Sequence, residues 1–213
     1  IGGATGTLTI TSSGAVGGTG AAFTTAIDVL GTSTVAGDLF LTNTGALDIG
    51  GALAAGANNV VLESSNNITQ SGGATITAAG FKVTTTGTGT VTLNEANVVT
   101  TLAANTAGDL QFTNAGALPL GTVDSTAGVT APGNDVILAS GGNIPQRESI
   151  VADGLKLTTT GTGTVTLNEA NVVTTLAANT AGAISYTNAG DLTVGTVDST
   201  NGITTGGTAA DDV

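Results

Sequence analysis

Two glutamates, Glu95 and Glu169, are the residues whose type and repeated context could do chemistry. Each is the third residue of a Leu-Asn-Glu-Ala-Asn pentapeptide, and acid–base cleavage of a glycosidic bond requires a pair of carboxylates. The pentapeptide also suits a solvated turn between strands, and an active site needs one copy rather than two. Grooves that cleave sugars further need aromatic platforms, and the chain has only four Phe and one Tyr. We therefore predict that the protein is not an enzyme.

The amino-acid composition also limits the other kinds of catalytic and metal-binding site that the chain could form. The chain has no His and no Cys, which leaves no Ser-His-Asp or Cys-His machinery, no ordinary zinc site and no disulfide. Asp124, Asp135 and Asp198, together with Asn-rich loops, offer oxygen ligands for calcium between neighbouring turns. The GGxGxD nonapeptide of calcium-binding solenoids is absent. We predict no catalytic, cofactor-binding or metal-binding residue, with calcium dependence as a minor alternative.

The charge balance restricts the partners. The formal net charge is −12, and the cations are Lys82, Arg147 and Lys156 alone. Nucleic-acid binding depends on neutralising phosphates with Lys and Arg, so we predict no nucleic-acid partner and no affinity for anionic membranes. The acidity favours solubility through self-repulsion. No apolar run approaches the ~18 residues of a membrane-spanning helix, so no membrane span is predicted.

A long internal repeat predicts the architecture that must position these residues. The 25 residues Thr84–Gly108 return unchanged as Thr158–Gly182, at an offset of 74. Downstream, Gly121–Thr126 returns as Gly195–Thr200, and a more diverged copy lies upstream. We divide the chain into units 6–79, 80–153 and a truncated 154–213, which together form one domain, 1–213. A stack of similar units builds an extended object rather than a single shaped pocket.

Composition and local pattern both predict an all-β fold. Hydrophobic residues make up 40% of the chain, so it is not a disordered polar tract. Charged residues are 8%, against about 25% in ordinary globular domains. The abundant Thr and Val favour pleated strands. Short alternating runs such as Phe81–Thr85 and Leu155–Thr159, bounded by Gly, Asn, Asp or Ser, are typical of strands and turns.

Two architectures accommodate such strands: a string of β-sandwiches or one continuous β-solenoid. A sandwich normally places large residues between its sheets, and this chain has almost nothing larger than Leu inside each unit. The narrow interior of a solenoid suits small and branched side chains, so we predict a parallel β-solenoid. The strongest strand starts, near 38, 59, 81, 109, 135, 155 and 183, predict turns of about 20–28 residues. Nine or ten turns at ~4.8 Å spacing give a rod about 45 Å long.

Repeated Asn and Thr residues carry further predictions. Asn43, Asn114 and Asn188 are expected in turns with positive φ, and these residues, with Asn67 and Asn143, are expected to stack as a ladder of side-chain amides. The Thr-rich run 84–92 and its copy 158–166 could form flat ranks of Thr, as on ice-binding solenoids. The simpler interpretation is that outward strand positions use Thr for its β propensity.

Several segments resemble the repeats of a known family. They are Val91–Asn94, Asn97–Ala103, Gly142–Ile144, Ile184–Asn188 and Leu192–Val197. Their residue patterns are similar to those of the repeats of filamentous-haemagglutinin-like exoproteins. These proteins are the passengers of two-partner secretion in Gram-negative bacteria. The resemblance covers nearly the whole chain, although the family's N-terminal secretion domain is not visible. It implies a right-handed parallel β-helix, export through an outer-membrane secretion partner, a cell-surface or extracellular location, and a role in adhesion, aggregation or biofilm formation.

We therefore predict a non-catalytic extracellular shaft, with the determinant for any bound target lying outside these residues. The alternative is a self-assembling subunit of an extracellular filament, because the ends or sides of a solenoid can associate with another molecule. The chain opens at Ile1 without Met and stops within the third unit. On that basis we expect a processed protein or a piece of a longer one.

Overall fold

The computed structural model describes residues 6–206 and is built from β-strands. No helix in that range is long and apolar enough to span a membrane. Residues 6–206 form 25 strands: β1 Thr7–Leu8, β2 Thr11–Ser12, β3 Phe23–Thr25, β4 Val29–Leu30, β5 Ser33–Val35, β6 Leu39–Asn43, β7 Leu47–Ile49, β8 Leu53–Ala54, β9 Val60–Ser64, β10 Ile68–Gln70, β11 Ile76–Thr85, β12 Val91–Asn105, β13 Leu110–Asn114, β14 Thr122–Val123, β15 Thr126–Ala127, β16 Val129–Ala131, β17 Val136–Ser140, β18 Ile144–Pro145, β19 Ile150–Thr159, β20 Val165–Thr180, β21 Ile184–Asn188, β22 Thr193–Val194, β23 Thr196–Val197, β24 Thr200–Asn201 and β25 Ile203–Thr205.

The strands wind into a parallel β-solenoid of about nine turns, with about 21 residues in each turn. The strands of the coil pair in parallel with strands of the neighbouring turns, as β9 does with β6 and β11, whereas β14 with β15 and β23 with β24 form two antiparallel hairpins. At a strand spacing of ~4.8 Å the described part is a rod about 43 Å long. The prediction of a parallel solenoid is thus confirmed, and a string of antiparallel sandwiches is excluded.

The core is a continuous stack of branched aliphatic side chains inside the coil. Leu, Val and Ile point inward at alternate strand positions and are almost all fully buried. Phe81 and Phe112 are the two largest buried side chains. Their rings stack with centroids 5.6 Å apart and an interplanar angle of 24°. Phe81 belongs to β11 and Phe112 to β13, so the rings fill the interior from two different walls of the coil.

The identical segments lie on opposite faces of the rod. Phe81 stacks on Val60 and under Leu102, in a column that we call face A. Leu155, 74 residues after Phe81, stacks between Val136 and Leu176 in a separate column that we call face B. With turns of about 21 residues, an offset of 74 is three and a half turns. Each feature of one repeat therefore recurs on the other side of the solenoid.

This half-turn offset corrects the predicted turn lengths. The steps from 81 to 109 and from 155 to 183 were assigned to single turns, but each of them covers about one and a half turns. Leu102 lies directly over Phe81 and supplies the missing position on face A. Leu102 lies within β12, which runs for 15 residues around a corner of the coil, so no Gly or Pro marks a strand start before it.

Asparagine has a different structural role from the predicted one. The non-Gly residues with positive φ in the described range are Asp124, Ser125, Asp198 and Ser199. The turn at Asn43 has its positive φ at Gly45, with a value of 96°, and the prediction is wrong for Asn43, Asn114 and Asn188 themselves. The amide of Asn114 is buried, accepts a hydrogen bond from Val99 N at 2.9 Å and donates one to Val99 O at 3.1 Å. It therefore substitutes for a peptide group in the ladder.

The same arrangement recurs along the rod. Asn43 bonds in this way to Ile27, and Asn188 to Val173. Asn67 and Asn143 instead accept hydrogen bonds from the N–H groups of Thr90 and Thr164, one turn later. The predicted ladder of stacked amides is therefore wrong, because these side chains bind backbone atoms rather than one another.

Candidate functional site

A β-hairpin leaves the coil on face A. Residues 121–128 leave the coil between Leu120 and Val129, both of which lie in the parallel ladder. Strands β14 and β15 pair antiparallel, and Gly128 N donates to Gly121 O at 3.0 Å. The two loop residues, Asp124 and Ser125, have φ values of 42° and 63°. Positive φ at both central residues is the conformation of the two-residue loops that match the twist of a hairpin.

The hairpin folds back over the two preceding turns and docks on them. A β-carbon at Gly80 would lie 2.9 Å from Val123 Cγ1 and would clash with Asn59 Oδ1, so the close approach favours glycine here. At the tip, Lys82 Nζ donates to Asp124 Oδ2 at 3.0 Å and to Asp124 O at 3.3 Å. The contact of Val123 with Gly80, the Lys82–Asp124 ion pair and a hydrogen bond from Thr122 Oγ1 to Glu148 Oε1 at 3.0 Å hold the hairpin against the rod.

A second excursion meets the hairpin tip from the N-terminal side. Residues 17–22 leave face A between Val16 and Phe23, which pair with Leu39 and Leu41 of the next turn. Thr19 Oγ1 donates to Asp124 Oδ1 at 2.7 Å. The hydrogen bond from Thr19, followed by the hydrogen bond and charge of Lys82, lowers the pKa of Asp124, and partial burial opposes that shift. The two excursions thus form one strap along face A.

Under the strap lies a column of outward-facing side chains. Phe40, Val61, Lys82 and Ala103 follow one another in register on successive turns. Phe40 and Val61 are buried although they lie outside the aliphatic core. A cleft of about 310 Å³ remains between this floor and the strap, with Glu63 at its side. The floor of the cleft is therefore partly apolar and partly charged, and a small opening to solvent remains between the floor and the strap.

The hairpin recurs on face B with the same geometry. Residues 195–202 are closed by Gly202 N donating to Gly195 O at 2.7 Å. Lys156 Nζ donates to Asp198 Oδ2 at 2.9 Å and to Asp198 O at 3.2 Å. The Asp198 side chain is 46% exposed, whereas that of Asp124 is 14% exposed. The difference arises because no loop within residues 6–206 meets Asp198 as Thr19 meets Asp124.

The predicted calcium ligands are not brought together. Asp124 and Asp198 lie on opposite faces, and each is paired with a lysine. Within residues 6–206 no group of three or more acidic residues has the geometry to hold a metal ion. Asp124, Asp135 and Asp198 therefore do not share one acidic site, and calcium dependence stays a hypothesis. Asp135 lies on face B, where its N–H donates to Asp109 Oδ1 at 2.9 Å, and its carboxylate lies against Gly154 of the following turn.

Asp135 has an electrostatic environment that destabilises its charged form. Burial raises the pKa of this carboxyl, and the charges of Asp109, Asp153 and Asp198 raise it further. Asn59 occupies the corresponding position on face A, where its N–H donates to Asp38 Oδ1 at 2.8 Å. Asp135 Oδ1 lies against Gly154 and Asn59 Oδ1 lies against Gly80, in each case one turn later, so an amide already fills the equivalent place on face A.

We predict that Asp135→Asn stabilises the protein at neutral pH by about 0.2–1 kcal/mol, the range for like charges on neighbouring strands. Because the pKa of Asp135 is raised on folding, the folded chain binds more protons than the unfolded chain between the ordinary and the raised pKa. The wild-type free energy of unfolding therefore falls as pH rises through that window. The gain should be full above the raised pKa and vanish below the ordinary one. Urea denaturation from pH 3 to pH 7 measures it.

The reciprocal substitution is the matched control. Asn59→Asp places a carboxylate beside Asp38 and should destabilise the protein at pH 7 by a similar amount. Equal stability of Asp135→Asn and the wild type at every pH would contradict the assigned environment of Asp135.

The two candidate glutamates also lie apart. Glu95 and Glu169 occupy the same corner of successive repeats, three and a half turns from one another, and so face opposite sides of the rod. Their backbone N–H groups donate to Gln70 Oε1 and Gln146 Oε1 at 3.2 and 3.1 Å. No carboxylate pair forms between them, and the absence of enzymatic activity stays a prediction.

The Thr-rich run does not form a flat rank either. Thr85 is buried and its hydroxyl donates to Gly89 O at 2.7 Å, while Thr86 and Thr88 lie in the turn between β11 and β12. Thr159 makes the same contact with Gly163 O in the second copy. These threonines shape a turn of the coil rather than a flat face.

No protein-family model, curated protein or solved structure matches this chain.

Proposed function

We propose that the protein is a non-catalytic shaft of a cell-surface or extracellular exoprotein, which holds an adhesive region away from the cell. The observation that carries the proposal is the parallel ladder, which continues from β1 to β25 around one buried aliphatic core. The sequence resemblance to filamentous-haemagglutinin-like exoproteins supports it. On this proposal the shaft winds to the right, is exported through an outer-membrane partner and serves adhesion, aggregation or biofilm formation.

A continuous ladder suits a spacer because bending must strain many hydrogen bonds at once. Each turn is bonded to both neighbours, and the core side chains interdigitate along the axis without a break. The strap on face A adds a brace that runs along the axis from Thr19 to Asp124. Such a rod transmits force and sets a distance.

The residue composition of the surface favours a role as a spacer over a role in binding a target. Binding energy at interfaces is concentrated in Trp, Tyr and Arg, and the chain has no Trp and one Tyr. The acidic surface, with two of its three cations held in ion pairs, disfavours nucleic acid and anionic lipid as partners. We therefore assign target recognition to residues outside this rod.

The test compares the full chain with a variant lacking residues 80–153, in which Ala79 is joined to Gly154. Gly154 takes the place of its counterpart Gly80, and Asp198 takes the place of Asp124 opposite Thr19. We expect a folded rod shorter by about 17 Å, which is three and a half turns of ~4.8 Å. Small-angle scattering gives the length, and circular dichroism gives the β content.

A second readout tests the role as a spacer. Beads coated with either protein should adhere to epithelial cells no better than albumin-coated beads. Strong adhesion by the full chain that the deletion abolishes would place a binding site within residues 80–153 and overturn the proposal. A deletion variant that keeps the original length would refute the rod geometry.

A further inference from the structure

The strap on face A joins two turns of the coil that lie far apart along its axis. We number the turns by the residue that each contributes to one column of face A; from turn one to turn six these are Val16, Leu39, Val60, Phe81, Leu102 and Leu120. The loop 17–22 leaves turn one, and the hairpin 121–128 leaves turn six. The hydrogen bond from Thr19 to Asp124 therefore ties together two turns that are five steps of ~4.8 Å, or about 24 Å, apart.

The parallel ladder, in contrast, couples each turn only to its neighbours. Gly31 N donates to Leu8 O at 2.8 Å between turns two and one, and Ala79 N donates to Asn58 O at 2.9 Å between turns four and three. In a coil held by such contacts, the stability is a sum of local terms. One boundary between turns can then open while the other boundaries stay closed.

The loop of turn one is bound to other turns at two points. Thr19 Oγ1 donates to Asp124 Oδ1 of the hairpin at 2.7 Å. The loop backbone also lies against turn two, because a β-carbon at Gly17 would be 2.6 Å from Phe40 O and 3.2 Å from Phe40 Cβ. Phe40 points away from the coil and yet is only 9% exposed. Separating turn one from turn two would therefore break the contact with turn six and uncover an aromatic ring.

The hairpin is held at turn four as well as at its base. Val123 rests on Gly80, and Lys82 Nζ donates to Asp124 Oδ2 at 3.0 Å. Asp124 thus accepts a hydrogen bond at each carboxylate oxygen, from Thr19 of turn one at Oδ1 and from Lys82 of turn four at Oδ2. One side chain on the hairpin of turn six binds two other turns at once.

Face B has the same hairpin without this link to an earlier loop. Asp198 Oδ2 accepts from Lys156, but within residues 6–206 no donor reaches Asp198 Oδ1. The two residues that precede Lys156 in its outward-facing column are Gln111 and Ile137. Both are more exposed than Phe40 and its neighbour on face A. The chain therefore contains one hairpin with the link and one without it.

We propose that the strap is a clamp, which makes turns one to five open as a single unit and prevents that part of the rod from unwinding turn by turn. These turns are enclosed between the two anchors of the strap, on turns one and six, so separating any two of them strains or breaks the strap. The clamp is a property of the coil itself. Its use in a shaft that is pulled along its chain rests on the proposed function.

Hydrogen exchange of the full chain at low urea concentrations, followed amide by amide by NMR, tests the clamp. In the wild type we expect Gly31 N–H and Ala79 N–H to exchange through one opening, with the same free energy and the same dependence on urea. Thr19→Val removes only the hydroxyl donor. It should raise the exchange rate of Gly31 N–H about tenfold over that of Ala79 N–H, the size expected for losing a hydrogen bond to a charged group.

The two hairpins supply a matched pair of variants. Asp124 and Asp198 have φ values of 42° and 40°, a conformation that asparagine tolerates. Asp124→Asn removes the charge that attracts Lys82 and strengthens the bond from Thr19, so it should also separate the two reporter amides. Asp198→Asn removes the equivalent charge from face B and should leave Gly31 N–H and Ala79 N–H exchanging together.

Three results would overturn the proposal. In the first, Gly31 N–H of the wild type exchanges as fast as it does in Thr19→Val. In the second, Asp198→Asn separates the reporter amides as much as Asp124→Asn does. In the third, Thr19→Val accelerates the amides of β19 as much as that of Gly31, which would indicate a general loss of stability. A target-binding site found within the rod would contradict the proposed function and leave these exchange results unchanged.

Discussion

Replacing Phe81 with alanine is expected to lower the free energy of unfolding by about 3–5 kcal/mol, the range for truncating a buried aromatic side chain. Phe81 has no exposed surface, and its ring stacks on Phe112 at 5.6 Å. Removing the ring leaves a cavity in the narrow core of the coil. The neighbouring turns cannot move inward to fill this cavity without breaking the hydrogen bonds of the parallel ladder. The aromatic contact with Phe112 is lost as well.

Urea denaturation at pH 7 measures this effect, and the chain offers two controls. Phe40→Ala removes an aromatic ring that lies outside the coil under the strap, so it should cost clearly less than Phe81→Ala. Phe81→Leu should cost less than about 1.5 kcal/mol, because Leu155 fills the same place in the second copy. If Phe40→Ala were as costly as Phe81→Ala, the assignment of the main core to the interior of the coil would be wrong.

The fold could be predicted from the sequence because its physics is local and repeated. Alternating Val, Leu and Ile at Val60–Leu62 or Val136–Leu138 place small apolar side chains on one side of each strand. The 25 identical residues require that the same local structure form twice. The relation between the copies could not be predicted in this way. The sequence suggests a turn between two strands at Leu93–Asn97, but β12 continues through this corner as one strand.

The strap was missed for a related reason. Its hairpin loop is Asp124-Ser125 rather than the Asn-Gly or Asp-Gly that marks such loops, and its contacts join residues far apart in the chain. One signal was present: each of the two lysines precedes an aspartate of the repeated Gly-Thr-Val-Asp-Ser-Thr by 42 residues. Two identical spacings between opposite charges, in a chain with three cations, indicate a repeated ion pair.

Asparagine shows where residue type alone misleads. In sequence an Asn beside Gly suggests a turn with positive φ, but in this coil the amide lies inside and bonds to backbone groups that the bend of the strand leaves free. Asn97 is the fullest case. Its Oδ1 accepts from Ile76 N and from Gln70 Nε2, both at 2.8 Å. Its Nδ2 donates to carbonyl oxygens, including those of Glu95 at 3.0 Å and Thr113 at 3.1 Å.

Asn97→Ala is therefore expected to lower the free energy of unfolding by about 2–4 kcal/mol, since it leaves the buried Ile76 N–H and several carbonyls without partners. Asn97→Asp should be at least as harmful at pH 7, because a carboxylate accepts from Ile76 but cannot donate and carries a buried charge. The matched control is Asn94→Ala: Asn94 is exposed and donates only to Gln111 Oε1. It should change stability by less than about 0.5 kcal/mol.

Hydrogen exchange at one amide separates this role from a general loss of packing. Asn97→Ala should remove the protection of the Ile76 N–H well before the surrounding core amides exchange, because that donor loses its only described acceptor. Asn94→Ala should leave the protection of Ile76 unchanged. If the Ile76 amide stayed as protected in Asn97→Ala as in the wild type, the side chain would not be substituting for a peptide group, and the account of how the coil turns this corner would be wrong.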